Sequence, residues 1–412
     1  MSDCNLDKRI TRRQFLTFAG GLTAAGFGAL PRWVREASAQ AKQGRKVLIV
    51  LFQRGAADGL NIVPPFNDEV YRKARPSIKI EAPIAGSRTI DLDGKFGLHP
   101  KLASLMPLWK DNRFAIVQAA GSPEETRSHF DAQDYMESGT PGVKVTQDGW
   151  LNRALVSGKI PQDPMAAISV TARLPRTLSG NFPVLAMNNA DQLKGGGAVV
   201  DSFESMYDEA VDSLLSGPVK DLGEARKRLK GIPKFDPLEL EKMGYPKGRT
   251  GRDFYELARV IKADLGLRVG FLEMGGWDHH YNEGGADGQL GRRLDELGGS
   301  AAAFFKDLGS MAEDVVLVTM TEFGRTIEEN GNGGTDHGHA SVMMLMGGRV
   351  NGGKIYGKWP GLKKENLFEE RDLQVTTDFR QVLSEVLFRH LGVKDLGAVF
   401  PGGVFPPLGI IG

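Results

Sequence analysis

Residues 47–52, VLIVLF, are apolar at every position. A half-exposed strand alternates apolar and polar side chains, so an unbroken run must be covered on both faces. Six further runs have the same character: 114–120, 166–172, 184–187, 269–274, 315–320 and 342–346. Helical patterns lie between them, at 100–109, 125–137, 203–229, 253–265, 290–311 and 378–391. Buried strands alternating with helices predict an α/β fold, an α/β/α sandwich around a mostly parallel sheet. The chain has 412 residues, 41% hydrophobic and 25% charged, which suits two or three domains or one large domain with insertions. About 201–250 is charged, lacks strand-like runs and ends in Pro/Gly punctuation. It reads as a helical insertion, either a lid over the site or a solvated packing pair.

The first 39 residues stand apart. Thr11-Arg12-Arg13-Gln14-Phe15-Leu16 has the form of a twin-arginine export motif, with Thr17 where a basic residue is usual. The stretch 18–30 is too short and glycine-rich to be a lasting membrane anchor, and Ala37-Ser38-Ala39 forms an A-x-A cleavage site. These signals predict a signal peptide over 1–39, a mature domain over 40–412 and the twin-arginine translocation machinery as a partner. The expected location is periplasmic or secreted. A cytosolic helix that happens to contain Arg-Arg is the alternative.

Charge and cysteine content exclude several classes. Lys+Arg is 52 and Asp+Glu 51, so no global basic field attracts nucleic acid. Without the leader, 46 basic and 48 acidic residues remain, and the single cysteine, Cys4, is lost. A cysteine-free chain suits an oxidising compartment and has neither a disulfide framework nor a multi-cysteine metal site.

In an open α/β sheet, ligands bind beyond the carboxyl ends of the strands. Four polar segments lie next to buried runs. Asp58 sits in a glycine-flanked turn after 47–52. Gly275-Gly276-Trp277-Asp278-His279-His280 follows 269–274. Alternation along an extended segment lets Asp278 and His280 face one cation while His279 points away. Glu322 follows 315–320, and Arg325 either pairs an anionic substrate or pairs with Glu322. Thr335-Asp336-His337-Gly338-His339 precedes 342–346, with His337 the expected ligand and His339 of less weight. Together, Asp58, Asp278, His280, Glu322, Asp336 and His337 form an N/O ligand set without sulfur. Such a set suits zinc, manganese or magnesium. The segment 121–134 opens a helix, where a hydroxyl meets free backbone N–H groups. Ser128 is the first choice of nucleophile, then Thr126 and Ser122. Helix capping is the competing reading, and His129 and Asp131 are alternative metal ligands.

RGAADGLN, FGLHP, TRSHFDAQDYMESG, GGWDHH, TEFGRT and GGTDHGHA, in this order behind such a leader, resemble the bacterial exported family of domain of unknown function 1501. That family is placed in the alkaline phosphatase-like superfamily. The resemblance implies an α/β/α sandwich and a hydroxyl or formylglycine nucleophile between two metals. By chain order, Asp58 resembles the first metal aspartate and Asp278 the aspartate of the second metal. His280 resembles a displaced ligand histidine, and His337 the late histidine. Glu322-Phe323 stands where the superfamily carries Asp-His, and Phe323 cannot bind metal, so one metal, two or none fit the motifs. A cysteine-derived formylglycine is excluded by composition, and Ser122-Pro123 departs from the serine-type motif. The expected activity is metal-dependent hydrolysis of small anionic phosphate or sulfate esters. The alternative is a non-catalytic periplasmic binding or assembly protein that keeps the fold.

Overall fold

Among the described residues, nine strands form one sheet. In chain order they are β1 (Val47–Gln53), β2 (Phe114–Gly121), β3 (Ala167–Ser169), β4 (Leu185–Ala186), β5 (Val269–Met274), β6 (Val315–Thr321), β7 (Ser341–Gly347), β8 (Lys354–Tyr356) and β9 (Thr377–Asp378). The computed structural model describes residues 46–83, 89–194, 213–403 and 405–412. The expected leader, 1–39, and the first part of the expected insertion, 201–212, lie outside the described residues.

The strand order is β8-β2-β7-β6-β1-β5-β3-β4, with β9 also pairing β2. All pairings are parallel except those of β7, which runs antiparallel to both β2 and β6. The central β1 is buried at all of its positions. Val47, Ile49 and Leu51 enter one core layer, while Leu48, Val50 and Phe52 enter the other. The period-2 alternation of a strand thus divides one apolar run between two cores.

Helices cover both faces. On one side, α3 (Arg249–Lys262) and α4 (Gln289–Leu308) contribute Phe254, Leu257, Leu294 and Phe304. On the other, α1 (His129–Ser138) contributes Met136, and α5 (Phe379–Val386) contributes Phe379, Val382 and Leu383. This is the expected α/β/α sandwich. Helix α1 begins at His129 rather than near 125, because Ser128 caps it from an extended conformation. Among the described residues no helix is long and apolar enough to cross a membrane.

The described part of the insertion packs against the core. In α2 (Ser213–Leu229), Ala225 and Leu229 join the same core as α3 and α4. Arg228 binds the Asp163 carboxylate at 2.6 Å and the Leu265 carbonyl. Asp163 and Leu265 precede β3 and β5, so this anchor lies at the amino edge of the sheet, away from the edge where ligands gather.

Three histidines are built into the fold as neutral side chains. His99, His279 and His390 are nearly or fully buried, and burial first of all pushes each from 6.5 down to about 4. His390 Nε2 bonds the Val47 carbonyl at 2.9 Å, and His99 Nε2 meets the Gly285 carbonyl at 3.3 Å. Between these values the unfolded chain binds protons that the folded chain refuses. Stability is therefore full above pH 6.5 and falls as the pH drops toward about 4, by at most about 3 kcal/mol per histidine. Urea melts of the metal-free protein across this window should show the loss, and replacing His390 by Gln should reduce its slope.

Candidate metal centre

Register brings the site together. Gln53 at the end of β1 pairs with Met274 of β5 and with Thr321 of β6, so the three following loops leave the sheet at one level. The reversed β7 starts at this same edge, with Ser341 opposite Ala120 near the end of β2. Its reversal is what carries the preceding histidines here. A short ribbon then aims them: Arg325 bridges His337, and Gly338 N–H donates to the Gly324 carbonyl at 2.9 Å. Across the gap, Ser128 caps α1 and places His129 in the first turn.

His129, Asp278 and His337 each present a ligand atom, all within 4.8 Å of one another. His129 Nε2 lies 3.5 Å from Asp278 Oδ2, and His337 Nε2 lies 3.4 Å from Asp278 Oδ1. His280 Nε2 is 3.0 Å from Asp278 Oδ1 and 3.0 Å from His337 Nε2. Bonds of about 2.0–2.1 Å in a tetrahedral zinc site put neighbouring donor atoms about 3.3 Å apart. The observed separations cluster around that value.

The outer nitrogens explain why the inner ones converge. Nδ1 of His129 meets Glu322 Oε1 at 2.8 Å, Nδ1 of His280 meets Asp336 Oδ1 at 3.0 Å, and Nδ1 of His337 meets the Arg127 carbonyl at 2.9 Å. Each acceptor favours a proton on Nδ1, which leaves Nε2 as a lone pair. His129 Nε2 is buried and has no hydrogen-bond partner. Two bare nitrogens 3.0 Å apart, at His280 and His337, repel unless a cation or a shared proton lies between them. The donor set therefore fits a divalent cation.

The charges follow from these contacts. The Glu322 hydrogen bond, outweighing burial, raises the proton affinity of His129. The same contact strengthens Nε2 as a metal ligand. Burial lowers His337. Burial also opposes ionisation of Asp278, but the Arg325 guanidinium at 2.5 Å outweighs it and holds the carboxyl below its usual range.

Several expected roles are corrected by what each side chain touches. Asp58 lies at the right edge, but its carboxylate is gripped by both Arg75 Nη atoms and is nearly fully buried. Burial opposes its ionisation, and Arg75 outweighs burial to hold it low. Its partner Glu283 is pushed well above the carboxylate range by burial and by the Asp58 charge. Asp58 is therefore a structural anion rather than a ligand. Glu322 Oε1 accepts from Gly55 N–H, His129 Nδ1 and Gln133 Nε2, while Oε2 lies 3.0 Å from Thr321 Oγ1, whose one proton also faces the Gln53 carbonyl. Three donors hold Oε1, so Glu322 orients His129 rather than meeting a cation. Arg325 pairs with Asp278, not Glu322, and donates to the carbonyls of Gly55, Ala56, Trp277 and Thr335. It is 1% exposed, with all three guanidinium nitrogens hydrogen-bonded inside the protein, and so is out of reach of an anionic substrate. The Ser128 hydroxyl faces Asp131 N–H as a helix cap. Asp336 orients His280.

Asp278, His280 and His337 are brought together, and His129 joins them from the segment read first as a nucleophile. His279 is buried, and His339 Nε2 meets the Ser122 carbonyl at 3.2 Å. The sequence carried no pairing signal for Arg75 with Asp58, Gln133 with Glu322, or Glu283 with Thr335. Gly55 has a direct reason to be glycine: φ is +119°, and a Cβ would sit 2.7 Å from Asp278 N.

The chain belongs to the DUF1501 family of proteins of unknown function. The family model matches residues 118–400, which hold every residue of the cluster. No curated protein matches the chain. Among solved structures it is similar to the PsFucS1 sulfatase from Pseudoalteromonas sp., with 12% identity and a TM-score of 0.33 over 78% of this chain. This chain spans 66% of that sulfatase, just under two thirds of its length. It is also similar to a magnesium-bound variant of TAB5 alkaline phosphatase, with 10% identity, a TM-score of 0.29, and coverage of 74% and 92% of the two chains.

Substitution should sort these roles. Asp278→Asn, His129→Ala and His337→Ala should lose bound metal after dialysis, and His279→Ala should keep it. Glu322→Gln should weaken metal affinity about 10–100-fold without abolishing it. Gly55→Ala should displace Asp278 and lower both metal content and melting temperature. Metal analysis and thermal melts of the six variants check this.

Proposed function

We propose that this protein is an exported metal-dependent hydrolase of phosphate or sulfate esters. The observation that carries the reading is the approach of three imidazole Nε2 atoms, those of His129, His280 and His337, to the Asp278 carboxylate, each imidazole oriented by an outer acceptor. His129, Asp278, His280 and His337 would hold the metal. A nitrogen-rich set of this kind favours zinc or manganese over magnesium. A divalent cation held there supplies Lewis acidity toward a phosphoryl or sulfuryl oxygen. Glu322 keeps the proton of His129 on Nδ1, and Asp336 does the same for His280. The resemblance to the alkaline phosphatase-like superfamily supports the reaction class. The leader, with Arg12-Arg13 and Ala37-Ser38-Ala39, supports periplasmic or secreted delivery by the twin-arginine machinery.

A specific observation favours a second reading, a non-catalytic binding or assembly protein. The Ser128 hydroxyl serves as a helix cap, and Arg325 is buried with all three guanidinium nitrogens hydrogen-bonded, which favours binding over attack on an ester. Metal-loaded protein should be screened against phosphate mono- and diesters and sulfate esters. Turnover of any class that disappears in Asp278→Asn supports the hydrolase, and inertness of metal-replete protein supports the second reading. Arg12→Lys with Arg13→Lys should leave uncleaved protein in the cytoplasm, visible on a fractionation blot.

A further inference from the structure

A groove of about 750 Å³ adjoins the ligand cluster. Its apolar wall includes Val70, Ala74, Ile327, Leu362 and Leu367. Two of its residues also hold the site. Asp336, 56% exposed at its side chain, binds His280 Nδ1, and Arg371 Nη2 donates to the His337 carbonyl at 2.7 Å. Asp278 and His280 have the most exposed side chains among the ligand residues, so the cluster opens where Asp336 stands.

The charge of the groove selects what enters. Glu328, Glu329, Glu370 and Asp336 face Lys364 and Arg371, two net negative charges. Lys364 is already paired with Glu370 at 2.8 Å, and Arg371 is held at His337. Glu328 is exposed and has no ion pair among the described residues. An organic group with an apolar surface and a positive charge satisfies both the wall and the excess carboxylates, whereas a second anionic group is repelled.

We propose that this groove receives the organic part of the substrate, and that this part is a compact cation such as a quaternary ammonium. The ester's anionic end would lie at the metal cluster. This rests on the hydrolase reading for its placement, but binding in the groove can be measured separately.

The probes are choline for binding, and phosphocholine and choline sulfate for turnover, each compared with 3-phosphoglycerate, which carries a carboxylate instead. The variant is Glu328→Lys with Glu370→Lys, which turns the groove from two net negative charges to two net positive. Metal content and melting temperature serve as folding controls. By calorimetric titration, wild type should bind choline and the variant should bind it about tenfold more weakly or not at all. If esters are cleaved, the preference for cationic over carboxylate-bearing esters should shrink by about the same factor in the variant. Choline binding that depends on Glu328 and Glu370 without hydrolysis of any ester would support the groove and count against the hydrolase. Equal choline affinity in both proteins, or no binding to wild type, would overturn the groove assignment even if esters are cleaved.

Discussion

The Arg325 guanidinium is the contact on which the site depends. It is buried, and it donates to carbonyls of Gly55, Ala56, Trp277 and Thr335 and to the Asp278 carboxylate. Those residues come from the loop after β1, the loop after β5 and the ribbon before β7. One planar donor group thus ties together three segments that share no local sequence. A buried arginine keeps its charge, so these partners cannot be released cheaply. The cluster is correspondingly rigid before any cation arrives, and rigidity of the surrounding shell is what sets ligand geometry.

A second ion pair is buried at both partners. Arg75 grips Asp58 and also donates to the carbonyls of Thr326 and Ile327. Glu283, pushed well above its usual range by burial and by the Asp58 charge, accepts from Thr335 at 2.8 Å and from Asn61 at 3.3 Å. Arg75 is hydrogen-bonded to Asp58 alone of the two carboxyls, which is why their proton affinities move apart. This arrangement fixes the far end of the 326–336 ribbon, while Arg325 fixes the near end. Removing Arg75 leaves the Asp58 carboxylate stranded in the interior, which is costlier than losing a surface pair.

Much of the frame was legible in the sequence. The mainly apolar runs marked seven of the nine strands, because burial on both faces leaves a recognisable composition. Strands β8 and β9 were missed because Lys354–Tyr356 and Thr377–Asp378 carry no apolar run. The direction of β7 was missed too, although the segment 322–340 lacks the helical pattern that a parallel crossover needs. The edge that gathers the site followed from the strand ends. The division of labour there did not. Asp58, Glu322 and Arg325 sit where strand-end logic puts functional groups, but their neighbours are distant in sequence, such as Gln133 for Glu322. Which carboxylate meets a cation and which meets a guanidinium is decided by those neighbours. Ser128 and His129 are adjacent, and only the helix start separates the cap from the ligand.

The reversed strand has a consequence for the order of assembly. β7 lies between β2 and β6, although it follows both in the chain. Until residues 341–347 are made, β2 has no connection to the central strands in this sheet, and His129 and Asp278 stand on separate halves. A nascent chain ending before β7 therefore holds the parts of a cation site without the strand that joins them. Pairings distant in sequence form late. Cation capture becomes a property of the nearly finished polypeptide, so an ion taken up by this protein reports that the sheet has closed around its last central strand.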